Sequence, residues 1–173
     1  KYIRIKDGEK MDGILIINKK ENMTSRDVVN IVSKKLHTKK VGHTGTLDPM
    51  AKGVLVVAVN KALKLVDDIT SLNKEYIAEV TLGIKTDTLD ITGNILEKYD
   101  VKSIDKEKLE TILKSFIGKY NMEVPIYSAV KVNGKKLYEY AREGKNVELP
   151  RKIVYINSIE LLNVNGNKFT FKC

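Results

Sequence analysis

Short apolar runs of two different periods recur along this chain, separated by polar, glycine-containing loops. Gly13 to Asn18 (GILIIN) is continuously apolar and β-prone, which predicts a buried strand. A helix should follow, capped by Thr24 or Ser25 and running to Leu36. Val28, Val29, Val32 and Leu36 recur there at helical spacing, and Lys34 and Lys35 complement the dipole of the last turn. Val54 to Val59 (VLVVAV) is uninterrupted and β-branched, so a strand buried on both faces is expected. Ala62, Leu65, Val66 and Ile69 predict a short amphipathic helix. Tyr76, Ala78, Val80 and Leu82 alternate with more polar neighbours, as a strand should.

Leu82 to Asn94 (LGIKTDTLDITGN) has no apolar period and reads as a loop long enough to suspect function. A helix is predicted from about Ser103 to Ile117, with Leu109, Ile112, Leu113 and Phe116 on one face and Gly118 as its stop. Asn133-Gly134 and Asn165-Gly166 are hairpin turn signals. There are no internal repeats, and the elements keep no βαβ rhythm, which predicts an α+β fold with a mixed, largely antiparallel sheet.

With 173 residues, 42% of them apolar, the chain can bury one compact domain, expected over residues 11–173. Lys1 to Lys10 is polar and differs in texture from the residues after Met11, so it reads as an upstream or tag-like segment. The net charge of +9 suits a polyanionic partner and equally suits a solvated lysine-rich face. Two histidines and the single Cys173 supply neither a disulfide framework nor an ordinary zinc site. No apolar run approaches the roughly 18 residues of a membrane helix, so a cytoplasmic protein is expected.

The stretch VGHTGTLDPMAKG, Val41 to Gly53, lies between two of the predicted rigid elements. Gly42 and Gly45 permit conformations or close approaches that a β-carbon forbids, and Pro49 holds Asp48 in extended geometry. Neither G-x-x-x-x-G-K-[ST] nor G-x-G-x-x-G occurs, which argues against nucleotide hydrolysis. His37 and His43 lie in one short segment and no nucleophile elbow follows a strand, which argues against a Ser-His-Asp triad. Two readings of Asp48 stay open on spacing alone: a turn-forming residue, or a carboxylate that attacks a carbon centre at a sugar without any metal. His43 is open in the same way, as a turn-stabilising imidazole or a substrate contact.

Taken as a pattern, Val41 to Gly53 resembles the catalytic loop of the TruB-type tRNA pseudouridine synthases, G-H-T/S-G-T/A-L-D-P followed by a small segment ending in glycine. Tyr127 to Gly144 (YSAVKVNGKKLYEYAREG) is similar to that family's Y-S-A-x-K-x-x-G-x-x-L-Y-x-x-A-R-x-G. Gly13 to Ser25 matches more loosely, because the family has Lys-Pro and then glycine where this chain has Lys19-Lys20 and Asn22. The resemblance covers nearly everything from Met11 to Cys173. It implies the pseudouridine synthase fold, a sheet flanked by helices around a catalytic cleft. It also implies conversion of uridine to pseudouridine in the T-arm loop of tRNA, by cleavage of the C1′–N1 bond and rejoining through C5, with no metal and no organic cofactor.

The same resemblance assigns roles. Asp48 matches the catalytic aspartate. Tyr76 falls where the family places an aromatic ring against the target base, although a core tyrosine fits the pattern too. His43 matches a histidine that fills the space left when the nucleotide leaves its stack, and Lys19 aligns with a lysine near the active site. Lys39 and Lys40 would contact phosphates. Tyr138 and Tyr140 would either stack on RNA or pack on the core. The implied enzyme is a monomer whose partner is tRNA, not DNA and not a membrane.

Pro49-Met50-Ala51-Lys52-Gly53 looks like the standalone branch, since the guide-RNA-dependent branch has a Pro-Lys-Val-Thr-Gly run there. A noncatalytic RNA-binding module on the same fold is the reading from another class. Family members continue beyond the final strand with a Ser-Lys-Gly-Thr-Tyr-Ile-Arg segment whose tyrosine and arginine complete the site. The catalytic domain is therefore expected to be incomplete at its C-terminal end, with Tyr2-Ile3-Arg4 repeating three of the missing letters.

Overall fold

The computed structural model describes residues 11–173, so the upstream segment and Tyr2-Ile3-Arg4 lie outside the described residues. The chain divides into two compact units, Lys1–Lys74 and Glu75–Cys173. Their architecture is α+β, and every strand pairing among the described residues is antiparallel.

In the first unit, β1 (Gly13–Lys19), α1 (Ser25–Lys35), β2 (Val41–His43) and β3 (Gly53–Val59) build a three-stranded sheet in the order β1-β3-β2. Leu55, Val57 and Val59 of the central strand pack with Val28, Val29 and Val32 of α1, and Leu15, Ile17 and Leu47 close the cluster. Each such side chain contributes about 1.5–3 kcal/mol of burial. Thr24 caps α1: its side chain accepts from the Asp27 N–H at 3.0 Å while the Asp27 carboxylate accepts from the Thr24 N–H at 2.8 Å, a reciprocal box.

Three expectations change here. β1 alternates instead of being buried throughout, with Ile16 76% exposed, because α1 covers only one face of the sheet. Val54 is likewise 67% exposed, so β3 is covered on both faces only over its second half, where the segment Asn60–Leu65 packs against the sheet. The short helix becomes a 3-10 helix, Asn60–Leu65, running into α2 (Val66–Ser71). Within it Ala62 is buried whereas Leu65 is exposed.

The second unit runs β4 (Ile77–Thr81), β5 (Ile84–Thr86), β6 (Ile95–Lys98), α3 (Lys106–Ser115) and β7 (Gly118–Glu123). It continues with β8 (Lys131–Val132), β9 (Lys135–Lys136), α4 (Leu137–Arg142), β10 (Arg151–Ile156), β11 (Glu160–Asn165) and β12 (Lys168–Lys172). Its core joins Leu109 and Leu113 of α3 to Phe169 of β12 in the sheet β11-β12-β4. α3 is shorter than expected: Asp105 caps it by accepting from the Lys108 N–H, and Ile112 and Phe116 face outward. The span read as one loop, Leu82 to Asn94, contains β5, which pairs with β6 and leaves 87–94 as the loop proper. Both hairpin signals fall at turns. Asn133 and Gly134 adopt φ of 51° and 80° between β8 and β9, whereas β11 and β12 turn at Gly166-Asn167, one residue later than expected.

Candidate active site

The segment between β1 and α1 holds the loop that carries Asp48. Lys19, the last residue of β1, is only 1% exposed, and its ammonium donates to the carbonyls of Met23 at 2.8 Å, Lys20 at 3.0 Å and Pro49 at 3.3 Å. Its three protons thus meet three acceptors, which is how a buried cation avoids an uncompensated desolvation cost. The Asn22 N–H also donates to the Pro49 carbonyl, at 2.8 Å. Asn22 does so at φ 60°, so this asparagine supplies the left-handed conformation at the position where the motif has glycine.

On the other side of Asp48, the buried Ser25 hydroxyl accepts from the Leu47 N–H at 2.9 Å and lies 3.3 Å from the Leu47 carbonyl. The Ala51 N–H closes a turn on the Asp48 carbonyl at 3.0 Å. Upstream, Thr44 is held by its N–H to the Val56 carbonyl at 3.0 Å and by the Thr70 hydroxyl on its own carbonyl at 2.7 Å. The backbone is therefore fixed on both sides of Asp48. The Asp48 side chain itself is exposed, and no group among the described residues donates to its carboxylate.

His43 ends β2 opposite Val57, half-buried, with Nδ1 enclosed and without a partner among the described residues. Burial pushes the imidazole below its usual pKa. The nearby Gly45 backbone opposes this and the Arg26 charge adds to it, which keeps the ring neutral near pH 7. The two glycines expected to act alike do not. A β-carbon on Gly42 would lie 2.9 Å from Leu63, whereas one on Gly45 would meet nothing within 4 Å, and the φ of Gly45 is ordinary. Lys39 and Lys40 are exposed and in no ion pair among the described residues.

Tyr76 belongs to the second unit and is 53% exposed, so it is not a core tyrosine. It extends β4, exchanging backbone hydrogen bonds with Cys173 at 2.7 and 2.9 Å. Loop 87–94 carries a group that sequence reasoning missed. Asp90 Oδ1 accepts from the Thr88 hydroxyl at 2.9 Å, the Thr92 hydroxyl at 2.6 Å and the Thr92 N–H at 2.8 Å. Burial raises the Asp90 pKa, but the bonds from Thr92 and Thr88 outweigh it and hold the carboxyl below its usual range. The clue available in sequence was the threonine spacing around it, Thr86, Thr88 and Thr92.

In the second motif, the Tyr140 hydroxyl donates to the Val132 carbonyl at 3.1 Å, while the Tyr138 ring lies 5.3 Å from both the Lys136 ammonium and the Arg142 guanidinium. Leu137, fully buried, anchors α4 beneath them. Tyr140 is therefore committed to its hairpin, and Tyr138 is half-exposed among cations.

A family model describing TruB family pseudouridylate synthases, N-terminal domain, matches residues 33–173. A tRNA pseudouridine synthase B from Fusobacterium nucleatum is 47% identical over 158 residues, 91% of this chain and 55% of that protein. One of the same name from Bacillus subtilis is 50% identical over 152 residues, 87% of this chain and 49% of that protein. The chain thus spans about half the length of the curated relatives it matches. Among solved structures, a Cbf5-Nop10-Gar1 complex aligns with a TM-score of 0.66 and 28% identity over 92% of this chain and 38% of that one. An H/ACA RNP bound to a substrate RNA shares the fold, with a TM-score of 0.63 at 24% identity over 92% of this chain and 36% of that one. With its Asp48 loop, its second motif and its fold all accounted for in this way, the chain belongs to the TruB family of pseudouridylate synthases.

Proposed function

We propose that the protein converts uridine to pseudouridine in the T-arm loop of tRNA, with Asp48 as the catalytic residue. The observation that carries this reading is the Asp48 carboxylate, which is exposed and unpartnered on a backbone hydrogen-bonded at the residues on either side. Attack on the sugar, attack on the base or abstraction of a sugar proton all need an oxygen whose lone pairs are not already spent, and here they are not.

A base in folded RNA must leave its stack to be reached, at a cost of a few kcal/mol. Neutral His43 suits the space the nucleotide vacates, since it carries no charge to desolvate. Exposed Tyr76 offers a ring face to the extruded base, and Lys19 serves the site by holding the loop from beneath instead of meeting substrate. Residues 11–173 act as the catalytic domain, a cytoplasmic monomer that needs no metal or organic cofactor and takes neither DNA nor a membrane as partner. The standalone branch is favoured over the guide-RNA-dependent one, because identity to the standalone relatives is well above that to the Cbf5 complex.

Release of tritium from tRNA labelled at uridine C5 tests the reading in the full-length protein. Turnover by the natural sequence and its loss in Asp48→Asn are expected, and equal turnover by the variant would overturn it. Tyr76→Leu should keep tRNA-dependent activity but slow it by the equivalent of about 1–3 kcal/mol, the worth of stacking one base on an aromatic ring.

A further inference from the structure

We propose that Ser25 is a positioning residue for the Asp48 reaction, setting the direction of that side chain by holding both polar groups of Leu47. The proposal rests on the isomerase reading above and adds to it the group that aims its carboxylate.

Ser25 is 2% exposed and opens α1, yet its hydroxyl plays no part in capping that helix, because Thr24 does so. The hydroxyl instead reaches across 22 residues of sequence, accepting from the Leu47 N–H at 2.9 Å and facing the Leu47 carbonyl at 3.3 Å. A hydroxyl is the smallest side-chain group that can accept and donate at once. Among the described residues nothing else hydrogen-bonds the Leu47 backbone. The nearest upstream backbone anchor is Thr44, and Gly45, where a β-carbon would meet nothing within 4 Å, intervenes.

Downstream, the Asn22 and Lys19 bonds to Pro49 do not depend on Ser25. Asp48 is thus suspended between a plane fixed by Ser25 and a plane fixed from the β1–α1 segment, and Pro49 restricts its backbone to extended geometry. Only the two side-chain torsions of Asp48 remain free. Without the hydroxyl, the Leu47–Asp48 peptide plane can tilt and carry the carboxylate with it.

The test uses the full-length protein, unmodified tRNA and single-turnover rates with enzyme in excess, together with tRNA binding and thermal unfolding. Ser25→Ala should slow the reaction by about 10- to 100-fold, the effect of displacing a catalytic group by roughly an ångström, while tRNA affinity stays at its natural value. Ser25→Cys fills the same space with a weakly hydrogen-bonding sulfur and should fall between, so it decides the matter if the alanine variant does not fold. Val32→Ala, which opens a cavity on the same helix, should lower the unfolding temperature but leave the rate intact. Natural rates from Ser25→Ala or Ser25→Cys would overturn the proposal, as would a rate loss in Val32→Ala matching that of Ser25→Ala. Absence of turnover in the natural protein, or full turnover in Asp48→Asn, would instead bring down the isomerase reading itself, and the Ser25 role with it.

Discussion

Two loops in this molecule carry an aspartate, and they treat it in opposite ways. The loop around Asp48 is held by residues distant in sequence, Lys19, Asn22, Ser25 and Thr70, all through its backbone, so the carboxylate is left unspent. Loop 87–94 holds itself. Asp90 takes three hydrogen bonds from Thr88 and Thr92, Asp87 accepts from Asn94, and a β-carbon on Gly93 would strike Thr88 Oγ1. A carboxylate that builds its own loop has fewer lone pairs left for chemistry, and one that reacts must have its loop built by others. External anchoring lets a reactive group be both positioned and free.

The contrast breaks most sharply at Asp48 itself. Asp48→Asn keeps the turn and the backbone bonds, so turnover should fall by at least about a thousandfold while tRNA binding and unfolding temperature stay near the natural values. Tritium release, filter binding and thermal melts would show this together. A large loss of stability would mean that the carboxylate holds the loop after all.

Lys19→Met probes the anchoring side. It takes the donor away from the part-buried bonds to the Met23 and Lys20 carbonyls, at a cost of about 1–3 kcal/mol in denaturant unfolding. An effect below about 1 kcal/mol would show that water replaces the ammonium.

Asp90→Ala should remove about 1 kcal/mol, discounted for the loop's access to solvent. Because the native pKa of Asp90 is lowered, its contribution is complete above the carboxyl's unfolded value and is lost as pH falls through the native one. The gap between variant and natural protein, followed by unfolding at descending pH, should therefore close in acid.

The smallest effect belongs to His43. Its lowered native pKa means that the unfolded chain takes up a proton first, so stability should begin to decline as pH drops below the ordinary histidine value. His43→Gln should flatten that part of the profile, and an unchanged slope would place the decline elsewhere.

Local signals were the legible ones. Thr24 capping α1, the valines of α1 and β3, and Asn133-Gly134 turning between β8 and β9 each depend on residues a few positions apart, and each formed where its pattern pointed. Asp48 stood out for the same reason, lodged between glycines and a proline in a short motif. Exposure was harder to read. Ile14, Ile16 and Val54 are as apolar as their buried neighbours, and only the placement of α1 on one face of the sheet separates them.

The sequence by itself determined the α+β class, most element positions, the loop that carries the carboxylate and the family to which the chain belongs. Only the tertiary structure decided that Lys19 lies beneath Pro49, that Asn22 takes the conformation of a glycine, and that Ser25 grips Leu47. Those contacts join residues 22 to 30 positions apart through backbone carbonyls and amides. Every residue carries such groups, so no side-chain pattern announces which of them a buried lysine or serine will find once the sheet and helix have closed.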